Sequence, residues 1–248
     1  MKKIVMLLLA VLCVFGITKN VYAEEVYYTT QNGIELTREE YEFLTMFYGP
    51  GYLNIMTQDM YDEFVEDDLI NSDVEIKTYS EPQLPLLNPG IQPNSTSHST
   101  PAKTVQIGRA CKTSYCMMTL KNTWHVSPYV RSWDNIGAYL DGVTLLAHNY
   151  TYVDSTAGTT YFSNLNTTNG IGNSVELPAT GEDITISMSF KVSRGGIVYG
   201  SYQHAMQTTT LANSQNYTLD ILGYGNVFSY YGTAIGIYDG MNGVDITV

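Results

Sequence analysis

The sequence has little positive charge. Its 248 residues include 12 lysines and arginines against 24 aspartates and glutamates, which gives a formal net charge of −12. Nucleic acids and anionic lipid surfaces attract basic proteins and repel acidic ones. We therefore expect neither of them to be a partner of this chain.

Short motifs that mark common active sites are also missing. The sequence has no Gly-x-Ser-x-Gly elbow, no His-Glu-x-x-His zinc motif and no Walker loop. We expect no cofactor and no metal, and we select no catalytic residue. A hydrolase stays open as an alternative, because His125, His148 and His204 could meet carboxylates in one folded pocket.

Cysteine is scarce. Of the three cysteines, Cys13 lies near the N-terminus, and Cys111 and Cys116 are separated by four residues. A redox pair usually has two intervening residues, and a zinc site needs a second ligand pair. Two cysteines that face each other across a strand pair are close enough to bond. We therefore predict a structural disulfide between Cys111 and Cys116 that clamps a hairpin.

The first 23 residues have the pattern of a signal peptide. Lys2 and Lys3 precede an apolar run from Ile4 to Ile17, and Val21-Tyr22-Ala23 offers a small-residue cleavage site. The apolar run is shorter than the roughly 20 residues of a membrane span. We expect secretion without a stable membrane anchor. Since the leader holds three of the basic residues, the mature chain has a formal charge of −15.

Residues 24–77 predict a helical hairpin. Thr37-Arg38-Glu39-Glu40 has the capping-box pattern, Gly49-Pro50-Gly51 ends the first helix, and Thr57 opens a second one. The acids Glu66-Asp67-Asp68 follow that helix. We interpret them as a solvated acidic surface, because they lack the alternating ligands and the glycine of a calcium loop. A cation site is the alternative.

Residues 78–103 predict a disordered linker. They contain five of the eight prolines together with a run of serines and threonines. Proline lacks the backbone N–H donor that a helix or strand needs, and serine and threonine side chains provide little apolar surface to bury in a core. We expect this linker to tether the helical hairpin to the remaining domain.

Residues 104–248 predict an antiparallel β-sandwich, so the fold class is mainly β. Apolar and polar residues alternate without a fault from Asp183 to Ser193, which is typical of a sheet with one buried face. Arg194-Gly195-Gly196 predicts a hairpin turn after that strand. Turn residues at regular intervals indicate eight to ten strands. A closed β-barrel is the alternative.

Aromatic residues are plentiful, with 21 tyrosines and two tryptophans. Their flat amphipathic side chains are suited to sugar rings and to protein partners, although many of them pack in cores. As candidate binding residues we select Trp133, Tyr199, Tyr202 and His204. His204 is included because it belongs to a polar patch within a predicted strand.

Two local motifs receive structural interpretations. We expect Arg131 and Asp134 to form an ion pair that closes a loop. Leu177-Pro178-Ala179-Thr180-Gly181 matches the pentapeptide that sortases cleave. However, an amphipathic strand follows it instead of an apolar membrane segment and a basic tail. We therefore interpret this pentapeptide as a β-turn.

Several segments have a familiar pattern. Tyr27-Tyr28-Thr29-Thr30-Gln31-Asn32-Gly33, Val130-Arg131-Ser132 and Val198-Tyr199-Gly200-Ser201-Tyr202-Gln203-His204-Ala205 are three of them. With these segments the chain resembles a group of small secreted proteins from Gram-positive bacteria, and the likeness covers most of the mature chain. The resemblance implies export from a bacterium. It implies no activity, so no site residue is transferred from it.

These observations favour a secreted, non-enzymatic protein that acts by surface recognition of a glycan or a protein. A secreted hydrolase is one alternative. A membrane-active protein of the pore-forming type is another. It would need a long amphipathic hairpin, for which residues 183–203 are the candidate.

Overall fold

The computed structural model describes residues 25–80, 103–154, 162–167, 170–181, 183–211 and 242–248. The leader and most of the predicted linker lie outside these residues. Twelve strands are described: β1 (Tyr28–Thr29), β2 (Glu35–Leu36), β3 (Asp73–Ser80), β4 (Lys103–Cys111), β5 (Tyr115–Trp124), β6 (Trp133–Asp141), β7 (Leu145–Asp154), β8 (Phe162–Thr167), β9 (Gly170–Glu176), β10 (Thr185–Ser193), β11 (Ile197–Gln203) and β12 (Asn242–Thr247).

Ten of these strands form two antiparallel sheets of five. The first sheet has the order β3-β4-β5-β10-β7, and the second has the order β12-β11-β6-β9-β8. Alternate residues of each sheet point to a shared apolar core, in which Leu120, Phe190 and Ile136 are fully buried. The predicted mainly β sandwich is confirmed, and the described strands close no barrel.

Gly200 shows how closely the sheets approach each other. It lies on the inner face of β11, and an added Cβ would press into the side chain of Leu120 in β5. A side chain at this position would push the two sheets apart, because protein cores are packed without spare room.

The helical segment precedes the sheets. Its helices are α1 (Arg38–Phe47), α2 (Tyr52–Ile55) and α3 (Gln58–Glu66), followed by a 3₁₀ turn at Leu69–Asn71. The predicted capping box is present, since the Glu40 amide donates to the Thr37 hydroxyl and the Thr37 amide donates to the Glu40 carboxylate. None of the helices in the described part of the chain has the length and apolarity needed to cross a bilayer.

Residues 27–71, which we call the helical cap, pack on the outer face of the first sheet. Phe47 and Phe64 from the cap share an apolar cluster with Ala110 and Met117 from the sheet. The last carbonyls of α1 also find donors in the sheet. Lys121 Nζ donates to the Met46 carbonyl at 2.7 Å. Helix ends leave such carbonyls unpaired and favour positive charge beside them.

The acidic end of α3 is paired with the sheet as well. Asp67 accepts from Lys191 Nζ at 2.9 Å and from the Tyr115 hydroxyl at 2.6 Å. Asp68 accepts from Lys112 Nζ at 3.0 Å. The prediction of a solvated acidic surface is therefore wrong for Asp67, which is largely buried in its ion pair with Lys191, whereas Asp68 is exposed beside Lys112.

Other predicted boundaries also differ from the structure. The boundary between helical hairpin and linker at residue 77 falls inside β3, which pairs along its length with β4. Arg194-Gly195-Gly196 does not make a hairpin, because β10 lies in the first sheet and β11 in the second. Residues 183–203 therefore form two strands of different sheets here. The alternation correctly predicts the apolar inner face of β10, but the polar residues Ser187 and Ser189 on its other face are buried too, because the helical cap covers the first sheet. Alternation also carries no information about which sheet a strand joins.

The buried lysine under the cap predicts a pH dependence. Burial lowers the pKa of Lys121 to about 8, while a lysine in an unfolded chain titrates near ~10.4. Between these values the unfolded state binds more protons, so the free energy of unfolding rises with pH. We expect urea unfolding to show a gain of about 2 kcal/mol from about pH 7 to about pH 9.5.

Lys121→Met should remove this gain, while Lys77→Met, at a half-exposed lysine of β3, should keep it. The comparison uses only the change with pH within each variant, because Lys121→Met also leaves the Met46 carbonyl without its donor. Parallel pH profiles for the wild type and Lys121→Met would contradict the assignment.

Candidate functional site

The candidate residues gather at one end of the sandwich, which we call the loop end. Three segments are joined there by hydrogen bonds: residues 125–132 between β5 and β6, residues 177–181 after β9, and residues 204–210 after β11. The opposite end holds the tight turns, including the turn between β4 and β5, where the predicted disulfide joins Cys111 and Cys116.

Asp134 is the centre of a buried polar cluster at the loop end. It is fully buried at the start of β6. Its carboxylate accepts hydrogen bonds from the Tyr202 hydroxyl, from His204 Nδ1 at 3.0 Å and from the Ala205 amide at 2.8 Å. Buried carboxylates need such partners, since transfer from water without them is very costly. This cluster fixes β11 and the segment after it to β6.

The cluster also bridges the two sheets. Trp124, the last residue of β5 in the first sheet, donates its indole N–H to the Tyr202 hydroxyl at 3.2 Å in the second sheet. The ring of His204 lies 4.7 Å from that indole in an edge-on arrangement. The buried ammonium of Lys103 lies 5.5 Å from the ring centres of both Trp124 and Tyr202. Such contacts between a cation and aromatic rings are favourable.

The described cluster contains an aspartate and an imidazole joined by a buried hydrogen bond. An aspartate that orients an imidazole through Nδ1 supplies two members of a hydrolytic triad, and the third member is a nucleophile beside Nε2. Among the described residues, no three histidine, cysteine or acidic side chains cluster as metal ligands.

Arg131 holds the loops together. Its guanidinium donates to the carbonyls of Pro178 at 2.9 Å and Gly181 at 2.5 Å, and to the Ser127 hydroxyl at 2.7 Å. The predicted ion pair with Asp134 is therefore wrong, because Asp134 points into the core and Arg131 reaches across to the next loop. The Leu-Pro-Ala-Thr-Gly segment provides two of the carbonyls that Arg131 binds.

The loop that Arg131 holds presents exposed side chains. Tyr129 is fully exposed, Val126 has 59% of its surface exposed, and His125 is exposed beside them. Pro128, between Val126 and Tyr129, is buried. The three hydrogen bonds of Arg131 and the burial of Pro128 restrict the backbone of this loop. The exposed side chain of Tyr129 is therefore carried by an ordered backbone.

The four predicted binding residues have different positions. Tyr202 and His204 meet in the buried cluster. Trp133 is half-buried at the start of β6, and strand alternation directs it to the face opposite Asp134. Tyr199 is buried near the middle of β11, where its ring lies 6.1 Å from that of Tyr139. Two of the four thus come together, and neither of those two is exposed.

The other histidines are not part of this cluster as described. His125 Nε2 lies 2.6 Å from the Thr104 hydroxyl on the exposed rim of the loop end. His148 lies in β7, and its side chain is outside the described set. Sequence reasoning missed Tyr129. The available signal was an aromatic residue directly after a proline, between two predicted strands.

Comparison with known proteins adds no identification. No protein family, no curated protein and no solved structure matches the chain.

Proposed function

We propose that the protein is exported and recognises a partner, a glycan or another protein, through its loop end without catalysing a reaction. The single observation that carries this proposal is the fully exposed side chain of Tyr129 on a loop held by Arg131. The signal-peptide pattern and the acidic charge of the mature chain support export into an aqueous compartment.

The physical argument rests on preorganisation. Tyrosine buries a large area on binding, loses little conformational entropy and is enriched among the residues that dominate binding energy. A loop that is already fixed does not have to be ordered when the partner binds. Val126, on the same loop, adds apolar surface next to Tyr129.

A screen with three proteins tests the proposal. Labelled mature chain (residues 24–248) is applied to a printed glycan array and to an array of purified extracellular proteins on which the mature chain itself is also printed. We expect the wild type to bind and Tyr129→Ser to bind at least ten-fold more weakly. Leu146→Ser, which removes an exposed apolar side chain from β7, should bind like the wild type.

A third variant tests the contribution of Arg131 separately from that of Tyr129. Arg131→Met keeps Tyr129 but removes the bonds to Pro178 and Gly181, so we expect a smaller, few-fold loss of binding. An absence of wild-type binding to every probe, or equal binding by Tyr129→Ser and the wild type, would refute the proposal.

A further inference from the structure

The helical cap carries a cleft that the proposed function does not use. It lies between α1, α3 and the 3₁₀ turn and has a volume of about 200 Å³. The buried rings and chains of Phe64 and Leu69 line it together with the half-exposed Val65. Pockets for small-molecule ligands usually measure about 300–1,000 Å³. This cleft therefore has the size for a single side chain.

The rim of the cleft is acidic, whereas the Tyr129 loop is not. Glu39, Glu40 and Asp68 line the cleft. Residues 125–132 contain no carboxylate, and their charged residue is Arg131. In a chain with a charge of −12, such a loop is electrostatically suited to approach an acidic cleft. Complementary charge of this kind favours a specific encounter.

The cleft and the Tyr129 loop lie at opposite ends of the first sheet. Asp68, on the cleft, is bonded to Lys112 in the turn before β5. The loop with Tyr129 follows the other end of β5, ten residues away. Ten residues of strand span roughly 33 Å. Tyr129 therefore cannot enter the cleft of its own molecule.

We propose that Tyr129 of one copy inserts into this cleft of a second copy. The ring packs against Phe64, Val65 and Leu69, and the phenol donates a hydrogen bond to a rim carboxylate. This inference rests on the proposed function, because it names the partner of the loop end. The contact joins two different surfaces, so it propagates head to tail instead of closing into a symmetric dimer.

Sedimentation velocity of the mature chain at increasing concentration tests this directly. Salt at about 150 mM limits the mutual repulsion of acidic copies, because the Debye length is then about 8 Å. We expect the average mass of the wild type to rise with concentration. Tyr129→Ser and Val65→Asp should each weaken association at least ten-fold, and Leu146→Ser should associate like the wild type.

Mixing the two impaired variants gives the decisive result. Tyr129→Ser keeps an intact cleft and Val65→Asp keeps an intact Tyr129, so a one-to-one mixture should form a dimer and grow no further. Circular dichroism verifies that both variants are folded. A wild type that stays monomeric, or a mixture that fails to form the dimer, overturns the inference. If the monomeric wild type still binds an array probe through Tyr129, the proposed function stands without it.

Discussion

Replacing Asp134 with alanine is expected to lower the free energy of unfolding by about 3–5 kcal/mol. The carboxylate accepts from the Tyr202 hydroxyl, His204 Nδ1 and the Ala205 amide, and all of these groups are buried. Removing one side of a buried charged network leaves its partners unpaired, which costs about this much. For a chain of this size the melting temperature should fall by roughly 10 °C.

Chemical unfolding with guanidinium measures this loss of stability. Two further variants serve as a conservative substitution and as a control. Asp134→Asn keeps the shape and one carbonyl acceptor, so we expect a loss about half as large. Asp141→Asn, at the exposed end of the same strand, should change stability by less than about 0.5 kcal/mol. A loss below about 1 kcal/mol for Asp134→Ala would show that the cluster does not hold the loop end together.

Gly196→Ala should be the other strongly destabilising change, with a loss of about 3 kcal/mol or more. An added Cβ would lie far inside van der Waals contact of the Asp141 carbonyl oxygen, and 2.9 Å from a methyl group of Val143. The backbone of Gly196 is also held by a hydrogen bond, because the Val248 amide donates to the Gly196 carbonyl at 3.0 Å. Neither neighbour can move without breaking strand pairing.

Gly195→Ala is the matched control for this substitution. Gly195 has a positive φ of 103° and no atom within 4 Å of an added Cβ. Its replacement therefore carries only the backbone strain of a non-glycine residue in that region, about 1–2 kcal/mol. Thermal unfolding of both variants measures the difference. Equal losses for the two substitutions would rule out the steric explanation.

Local features of this fold could be predicted from sequence because their causes are local. Thr37 and Glu40 cap α1 through neighbouring backbone groups. Cys111 and Cys116 are brought together by a short turn. The alternation from Ile184 to Ser193 is enough to predict a strand and its apolar face, although Ser187 and Ser189 on the other face are buried as well. Each of these patterns is complete within about ten residues.

Features that depend on distant partners could not be predicted in the same way. Asp67 is paired with Lys191, 124 residues away, and no pattern around either residue specifies the other. The same holds for Asp134 and His204, which adjacent strands bring together across 70 residues. The short sequence separation of Arg131 and Asp134 suggests an ion pair, whereas two of the three acceptors of Arg131 follow β9.

Tyr129 illustrates a different difficulty. Exposure of a side chain depends on what the rest of the chain fails to cover, and alternation reports only which face of a strand is buried. Aromatic richness favoured Tyr199 and Tyr202, both of which are buried. Tyr129, which is exposed, lies in a loop, where side chains do not follow the apolar and polar alternation of a strand.

The position of β10 has a consequence for the order of folding. This strand is the fourth of the first sheet and connects β5 to β7, yet it ends only at Ser193. Until that point has emerged during synthesis, β7 lacks β10, its neighbour in the sheet among the described strands, and contacts of such long sequence separation form slowly. The sandwich therefore cannot close until most of the chain has been made, and this delay would help the export that we propose by keeping the chain unfolded for longer before it enters a translocation channel.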